Sequence, residues 1–341
     1  MADTYFNRTR IEQRTASVAQ LASAREVVID NGPGRGVRVV EIDNGTGLRL
    51  DVLLDRGLDL GSCTVRGVPV AFATPSGLTH PAHYDPRGAN WLRTWHGGLM
   101  TGAGMRNVGH PQTGDQTDDP HGLHGRLSHI PATLTGVHPG WEEDHYVISV
   151  TGTVRESSFF GDNLLLERTI RVESVTNAIE ITDTITNEGP RETPFMMLYH
   201  CNFGYPVLDD DAHVVCLPDS VEPRDDEAAA HLDDWTEMAV PTNGYQERCY
   251  YPDVRDENGR SRIALDNPKM PFVPVVDWRK RELPYITVWK TLGTKEYALG
   301  LEPANCHPDG QQRERERGTL VTLNPGEARE HSLRVSFEDR A

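Results

Sequence analysis

The stretch Leu164-Leu165-Leu166-Glu167-Arg168-Thr169-Ile170-Arg171-Val172, followed shortly by Ala178-Ile179-Glu180-Ile181-Thr182-Asp183-Thr184-Ile185, decides the fold class. Apolar and polar residues alternate, and many of the apolar ones are β-branched. A period of two is what a strand with one buried face requires. Runs of the same kind occur at Val37-Arg38-Val39-Val40-Glu41-Ile42, Leu48-Arg49-Leu50-Asp51-Val52-Leu53-Leu54 and Tyr146-Val147-Ile148-Ser149-Val150. Between such runs stand Asn44-Gly45, Asn187-Glu188-Gly189-Pro190, Asn258-Gly259 and Asn324-Pro325-Gly326. These are turn signals, because Gly and Asn accept positive φ and Pro fixes it.

Many short strands joined by turns predict an all-β, mostly antiparallel protein. Helical signal is confined to Glu12 to Glu26 and to Asp225 to Asp234. Neither alternates with strands, so a sandwich or barrel is preferred to a parallel βαβ fold. No internal repeat or low-complexity linker divides the 341 residues, a length that a large β-sandwich absorbs as one unit. The reading is a single domain over 1–341, with the first ~25 residues as a peripheral extension.

Charge narrows the function. The chain has 34 Lys and Arg against 51 Asp and Glu, a net charge of −17. Nucleic-acid binding needs a basic stripe that displaces counterions, so nucleic acids and anionic membranes are set aside as partners. No apolar segment follows the N-terminal charges as in a secretory signal, and no run is long enough to span a bilayer. The five cysteines are scattered and form no C-x-x-C pair, so neither a disulfide framework nor a thiolate zinc site is expected. A reducing cytoplasm is the economical location.

Four places carry candidate chemistry. In Leu53-Leu54-Asp55-Arg56-Gly57-Leu58-Asp59, Arg56 is either a binder of a substrate hydroxyl or carboxylate or half of a surface Arg-Asp pair. The Gly-, Trp- and His-rich segment from Trp91 to Gly104 offers Trp91 and Trp95, whose flat faces suit the C–H face of a sugar or, alternatively, the core. Its glycine spacing is not that of a dinucleotide loop. His121-Gly122-Leu123-His124-Gly125-Arg126-Leu127-Ser128-His129 holds three histidines and an arginine, residues suited to proton transfer or metal ligation, but its spacing matches no zinc signature. Finally, His200 in Leu198-Tyr199-His200-Cys201-Asn202-Phe203-Gly204 and Glu302 in Gly300-Leu301-Glu302-Pro303 each end an apolar strand. Partial burial of such a carboxyl raises its pKa, and with a histidine it makes an acid/base couple. Cys201 is not paired with His200 as a nucleophile, since adjacent strand residues point to opposite faces.

His124-Gly125, the His-x-Asn-x-Gly of His200 to Gly204, and Gly300-Leu301-Glu302-Pro303 with Pro308-Asp309, in that order, resemble the galactose mutarotase (aldose 1-epimerase) superfamily. Asp55-Arg56-Gly57-Leu58-Asp59, Leu123-His124-Gly125-Arg126 and Leu301-Glu302-Pro303 look like a branch of it classed as a domain of unknown function. The resemblance implies a galactose mutarotase-like β-supersandwich that acts on a small-molecule carbohydrate, a free monosaccharide or sugar acid. No cofactor and no metal are implied, and a homodimer is compatible. Carried over, Glu302 matches the base that takes the anomeric hydroxyl proton, His200 the acid at the ring oxygen, and His124 the second histidine. Arg56, Arg126, Trp95, Asn202 and Lys290 are the expected substrate-binding residues. Two other readings stay open: a metal-assisted keto-sugar isomerase or lyase in which His124, His129, His200 and Glu302 share a divalent ion, and a non-catalytic carbohydrate-binding protein.

Overall fold

The computed structural model describes residues 6–112 and 120–340. Two large antiparallel sheets pack over a common apolar core. One has the strand order Ser23–Val28, Arg38–Asp43, Leu48–Leu53, Asp59–Val65, Met100–Met105, Met196–Phe203, Glu296–Ala304, Tyr285–Gly293, Arg248–Val254, Pro218–Pro223. The other runs His213–Val215, Ser261–Asp266, Phe272–Trp278, Ala328–Asp339, Ala178–Asn187, Asn163–Glu173, His145–Ser157, Thr133–Glu142. This is the all-β supersandwich that the resemblance implies, in agreement with the strand pattern.

The strand pair that decides the fold class behaves as its alternation demands. Leu166 faces Ile185, Ile170 faces Ile181 and Val172 faces Ile179, and all of these side chains are buried between the sheets. Arg168 occupies one of the same inward positions. It is tolerated because Asp183 lies directly opposite and takes its guanidinium at 2.8 and 2.6 Å. The Tyr199 hydroxyl donates to the same carboxylate at 2.6 Å, and Arg168 also donates to the carbonyls of Gly57 and Leu58. A buried charge pair persists when each partner has its hydrogen bonds met, as here.

The Met196–Phe203 strand is buried on both faces. Met197, Tyr199, Cys201 and Phe203 enter the main core, while Met196 and Leu198 join a smaller apolar cluster on the opposite, outer face. His200 and Asn202 share the parity of that outer face. On the neighbouring Glu296–Ala304 strand, Leu299 and Leu301 point into the core and Gly300 and Glu302 point outward with Ala304. The core face of Cys201 agrees with its exclusion as a nucleophile, and burial pushes its thiol pKa up.

The helix expected from Glu12 to Glu26 does not form. A short helix spans Arg8–Glu12, a single 3-10 turn covers Val18–Gln20, and Ser23–Val28 is an edge strand paired with Arg38–Asp43. Pairing with an existing sheet edge outweighs the weak helical propensity of that segment. Of the expected N-terminal extension, residues 1–5 lie outside the described residues; Phe6 and Ile11 are buried in the main core. The second expected helix is reduced to Asp226–Ala229, capped by the Asp225 carboxylate on the Ala228 amide. A third helix, Gln311–Arg317, follows the Glu302 strand and ends at left-handed Gly318.

Candidate active site

Strand register creates the site. Leu198 pairs with Ala304 and Cys201 with Leu301, which sets His200 beside Glu302 at the middle of the large sheet. His200 Nδ1 lies 3.2 Å from Glu302 Oε1, and both side chains are almost wholly buried. The contact is too poorly aligned to be a hydrogen bond, and neither atom has another partner among the described residues. Two buried polar atoms with unmet bonding capacity therefore face each other at the floor of a cleft. Gly300 makes room for this: a Cβ there would lie 2.1 Å from Glu302 Oε1.

His124 arrives from a loop in a left-handed conformation, φ +55°, uncommon for a residue with a side chain. The Gly109 amide donates to its Nδ1 at 3.3 Å, so the neutral ring carries its proton on Nε2 and offers a donor. Its ring lies 5.8 Å from that of His200. Close packing of the 107–110 and 305–310 segments forms this wall, since a Cβ on Gly109 would sit 1.7 Å from the Pro308 carbonyl. Trp91, Trp95 and Trp289 supply apolar walls, Trp91 stacked on Trp95 and both Trp95 and Trp289 with ring centroids 5.4 Å from His200. At the rim, Glu247 accepts from Trp289 Nε1 at 2.8 Å and from Arg224 at 3.1 Å. The enclosed volume is 160 Å³, below the ~300–1,000 Å³ of sites for drug-sized ligands and on the scale of one small molecule.

Electrostatics favour neutral groups. Burial, helped by the negative Glu247, pushes the Glu302 pKa well above the ordinary carboxylate range. Burial lowers His200 to about 3 and His124 to about 4, and the neighbouring His124 adds to the fall at His200. The His200–Glu302 couple is thus biased to keep its proton on Glu302, with His200 neutral.

Of the residues expected from sequence, the structure brings Glu302, His200, His124 and Trp95 into this cleft. Four others lie elsewhere. Arg56 is fully buried and spends its guanidinium on the carbonyls of Thr79, Thr94 and Ser128, the Ser128 hydroxyl and His129 Nε2, so it ties loops together and touches no ligand space. Arg126 is exposed outside the cleft. Arg126→Ala is accordingly expected to leave ligand binding in the cleft unchanged within about twofold by calorimetry, because surface substitutions away from a site act weakly. Lys290 follows Trp289 and so takes the opposite face, where its ammonium donates to the carbonyls of Asp234, Trp235 and Glu237. Asn202 shares His200's face but donates to the carbonyls of Gly98 and His200, and its nearness favours protonated His200.

His129 belongs to the Arg56 cluster, with Thr94 and Arg56 on its Nε2. Among the described residues no group of three or more His, Cys, Asp or Glu is arranged to hold a metal ion, so the donor set of the metal-assisted reading is not assembled. Sequence reasoning missed Trp289, Glu247 and Arg224. Trp289 had a usable signal, since the stacking argument made for Trp95 applies to any strand tryptophan. Glu247 and Arg224 carry no local motif, and only the adjacency of their strands brings them to the rim.

Solved structures share this architecture. A protein from Klebsiella pneumoniae subsp. pneumoniae, provisionally named an aldose 1-epimerase, is similar over 94% of this chain and 86% of its own, at 25% identity and a TM-score of 0.86. A galactose mutarotase-like protein from Clostridium acetobutylicum is similar over 94% of this chain and 100% of its own, at 14% identity and a TM-score of 0.66. For a galactose 1-epimerase from Lactobacillus acidophilus the coverages are 94% and 100%, the identity 13% and the TM-score 0.58. None of the curated proteins compared with the chain matches it. The fold is therefore galactose mutarotase-like. Within that class, the chain belongs to the family described as "Domain of unknown function (DUF4432)", whose model matches residues 34–337. Among the described residues no helix is long and apolar enough to cross a membrane.

Proposed function

We propose that this protein is an aldose 1-epimerase-like isomerase that interconverts the anomers of a neutral aldose by ring opening. The observation that carries the reading is the buried His200–Glu302 contact of 3.2 Å beneath indole walls. A carbohydrate-binding protein needs the aromatic walls but has no use for a desolvated acid/base couple at their base.

In ring opening one group removes the proton from O1, the C1–O5 bond breaks as the C1–O1 bond becomes a carbonyl, and the other group protonates O5. Rotation about C1–C2 and closure on the other face of the carbonyl invert the anomer. The resting couple, protonated Glu302 and neutral His200, is set for closure: Glu302 donates to the carbonyl oxygen while His200 accepts the O5 hydroxyl proton. Opening uses the same single proton placed on His200, with Glu302 as the base. The short separation of the two groups makes that exchange local, and no proton enters or leaves overall. His124, with Nε2–H free, binds a sugar oxygen.

The cleft also selects a neutral ligand. Arg56, Arg126 and Lys290 are absent from it, and among the described residues the Arg or Lys that lines it, Arg224, is already paired with Asp225 and Glu247. A sugar carboxylate would meet the Glu247 carboxylate with no cation left over to bind it. Anomer exchange followed by NMR across a panel of aldoses and uronic acids tests this, with exchange expected for neutral aldoses alone. Exchange confined to uronic acids would overturn it.

The pH profile follows from the same groups. With one proton needed on the couple, the rate is expected to stay level between the lowered histidine values and the raised value of Glu302. It falls in acid as His124 and then His200 protonate, near pH 4 and 3. It falls in alkali only above the ordinary carboxylate range, where Glu302 finally ionises. An acid limb centred near pH 6.5, the ordinary value for histidine, would contradict the burial argument.

A further inference from the structure

The outer face of the large sheet carries a second hollow next to the cleft, with a volume of 350 Å³ and walls that include Ser220, Glu222, Tyr251, Asp253, Tyr285 and His307. Three neighbouring strands run through both spaces. On the first, Ser220 and Glu222 line the hollow and Arg224, just beyond the strand, lines the cleft. On the second, Asp253 and Tyr251 line the hollow and Cys249 the cleft; on the third, Tyr285 lines the hollow, and Thr287 and Trp289 the cleft. Within each strand these residues are spaced by two and so share one face. The register sets Glu222 against Tyr251 and Cys249 against Trp289. Thr287 is the residue opposite Glu302, and Tyr285 stands two residues further along, roughly 7 Å away.

The chemistry of the hollow is that of a polyol site. The His307 ring wedges between the two tyrosines, with centroids 4.7 Å from Tyr251 and 4.4 Å from Tyr285, and fixes both rings while leaving them partly exposed. Among the described residues the Tyr285 hydroxyl and the Glu222 carboxylate make no hydrogen bond, so a donor and two acceptor oxygens are free. Glu222 and Asp253 make the hollow acidic, with Lys280 bound to Asp253 at 2.5 Å, which disfavours phosphate and carboxylate ligands.

We propose that this hollow is a second sugar subsite, and that the preferred substrate is a reducing disaccharide. Its reducing ring enters the cleft, and the attached ring lies against Tyr251 and Tyr285 with its hydroxyls on Glu222. The inference rests on the reading of the cleft as a sugar site.

Calorimetric titration with lactose and maltose, beside galactose and glucose, tests the subsite in the wild type and in Tyr285→Ala and Glu222→Ala, with anomer exchange followed by NMR in parallel. At least one disaccharide is expected to bind the wild type more tightly than its monosaccharide, and Tyr285→Ala to weaken that binding about tenfold, the effect of one lost aromatic contact. Monosaccharide binding and exchange stay unchanged in both variants. Glu222 is exposed, so Glu222→Ala keeps the test valid if Tyr285→Ala misfolds. Disaccharides that bind no more tightly than monosaccharides, or variants that weaken both ligands equally, would overturn the proposal. Tight disaccharide binding without anomer exchange supports the subsite and defeats the ring-opening reading instead.

Discussion

Glu302→Gln is expected to slow anomer interconversion by about 10³-fold or more while leaving the fold intact. General acid or base catalysis by a positioned group contributes about 10²–10⁴-fold, and in the proposed mechanism Glu302 is the base in opening and the acid in closure. Glutamine keeps the shape of the side chain and removes both functions. The same substitution tests the carboxyl's burial. The folded-state pKa of Glu302 is raised, so the energetic cost of burying it is absent below the ordinary carboxylate pKa and grows as the pH rises toward the raised value. Glu302→Gln has no such cost and is expected to melt at or above the wild-type temperature near neutral pH. NMR exchange rates and thermal melts read both effects. Unchanged exchange would sink the acid/base assignment, and a large fall in melting temperature would show that the carboxyl holds the sheet rather than the substrate.

Asp183→Ala is the second large effect, and it falls on stability. It leaves the Arg168 guanidinium buried without its counter-ion and removes the acceptor of the Tyr199 hydroxyl. Breaking one side of a buried pair costs about 3–5 kcal/mol, because the surviving charge cannot reach water. The double substitution Arg168→Met, Asp183→Leu is expected to recover most of that loss, since apolar residues of similar size replace such pairs at little cost. Urea unfolding of both variants measures this. A loss below ~1 kcal/mol in Asp183→Ala would mean that the pair is solvated or redundant. Tyr199 precedes His200 on the same strand, so a further loss of activity in Asp183→Ala would report how far this core network steadies the site strand.

Several features of the site were legible before any fold was known. Period-two alternation in Leu164 to Val172 is a physical requirement of a half-buried strand and needs no tertiary information. The motifs around His124, His200 and Glu302 stood out because each joins an ionisable residue to glycine or proline, where a backbone turns sharply. The misplaced residues failed for specific reasons. Arg56 was judged by what a guanidinium does in solution, yet here five main-chain and side-chain acceptors from loops distant in sequence consume it. Lys290 neighbours Trp289, and one residue along a strand inverts the face. The helix expected through Glu26 gave way to an edge strand because Arg38–Asp43 offered unpaired backbone groups, which no local pattern announces.

By itself, then, the sequence determined the class of fold, the turn positions and the residue types able to carry proton transfer, because alternation, positive-φ residues and ionisable side chains are local properties. Only the tertiary structure decided which of them meet. The register between Met196–Phe203 and Glu296–Ala304, residues a hundred positions apart, puts His200 and Glu302 in contact, and burial between sheet and loops moves both toward neutrality. Charge balance in the cleft was likewise a tertiary outcome: distances across strands, not composition, decide that Glu247 and Arg224 reach the ligand space while Arg56, Arg126 and Lys290 do not.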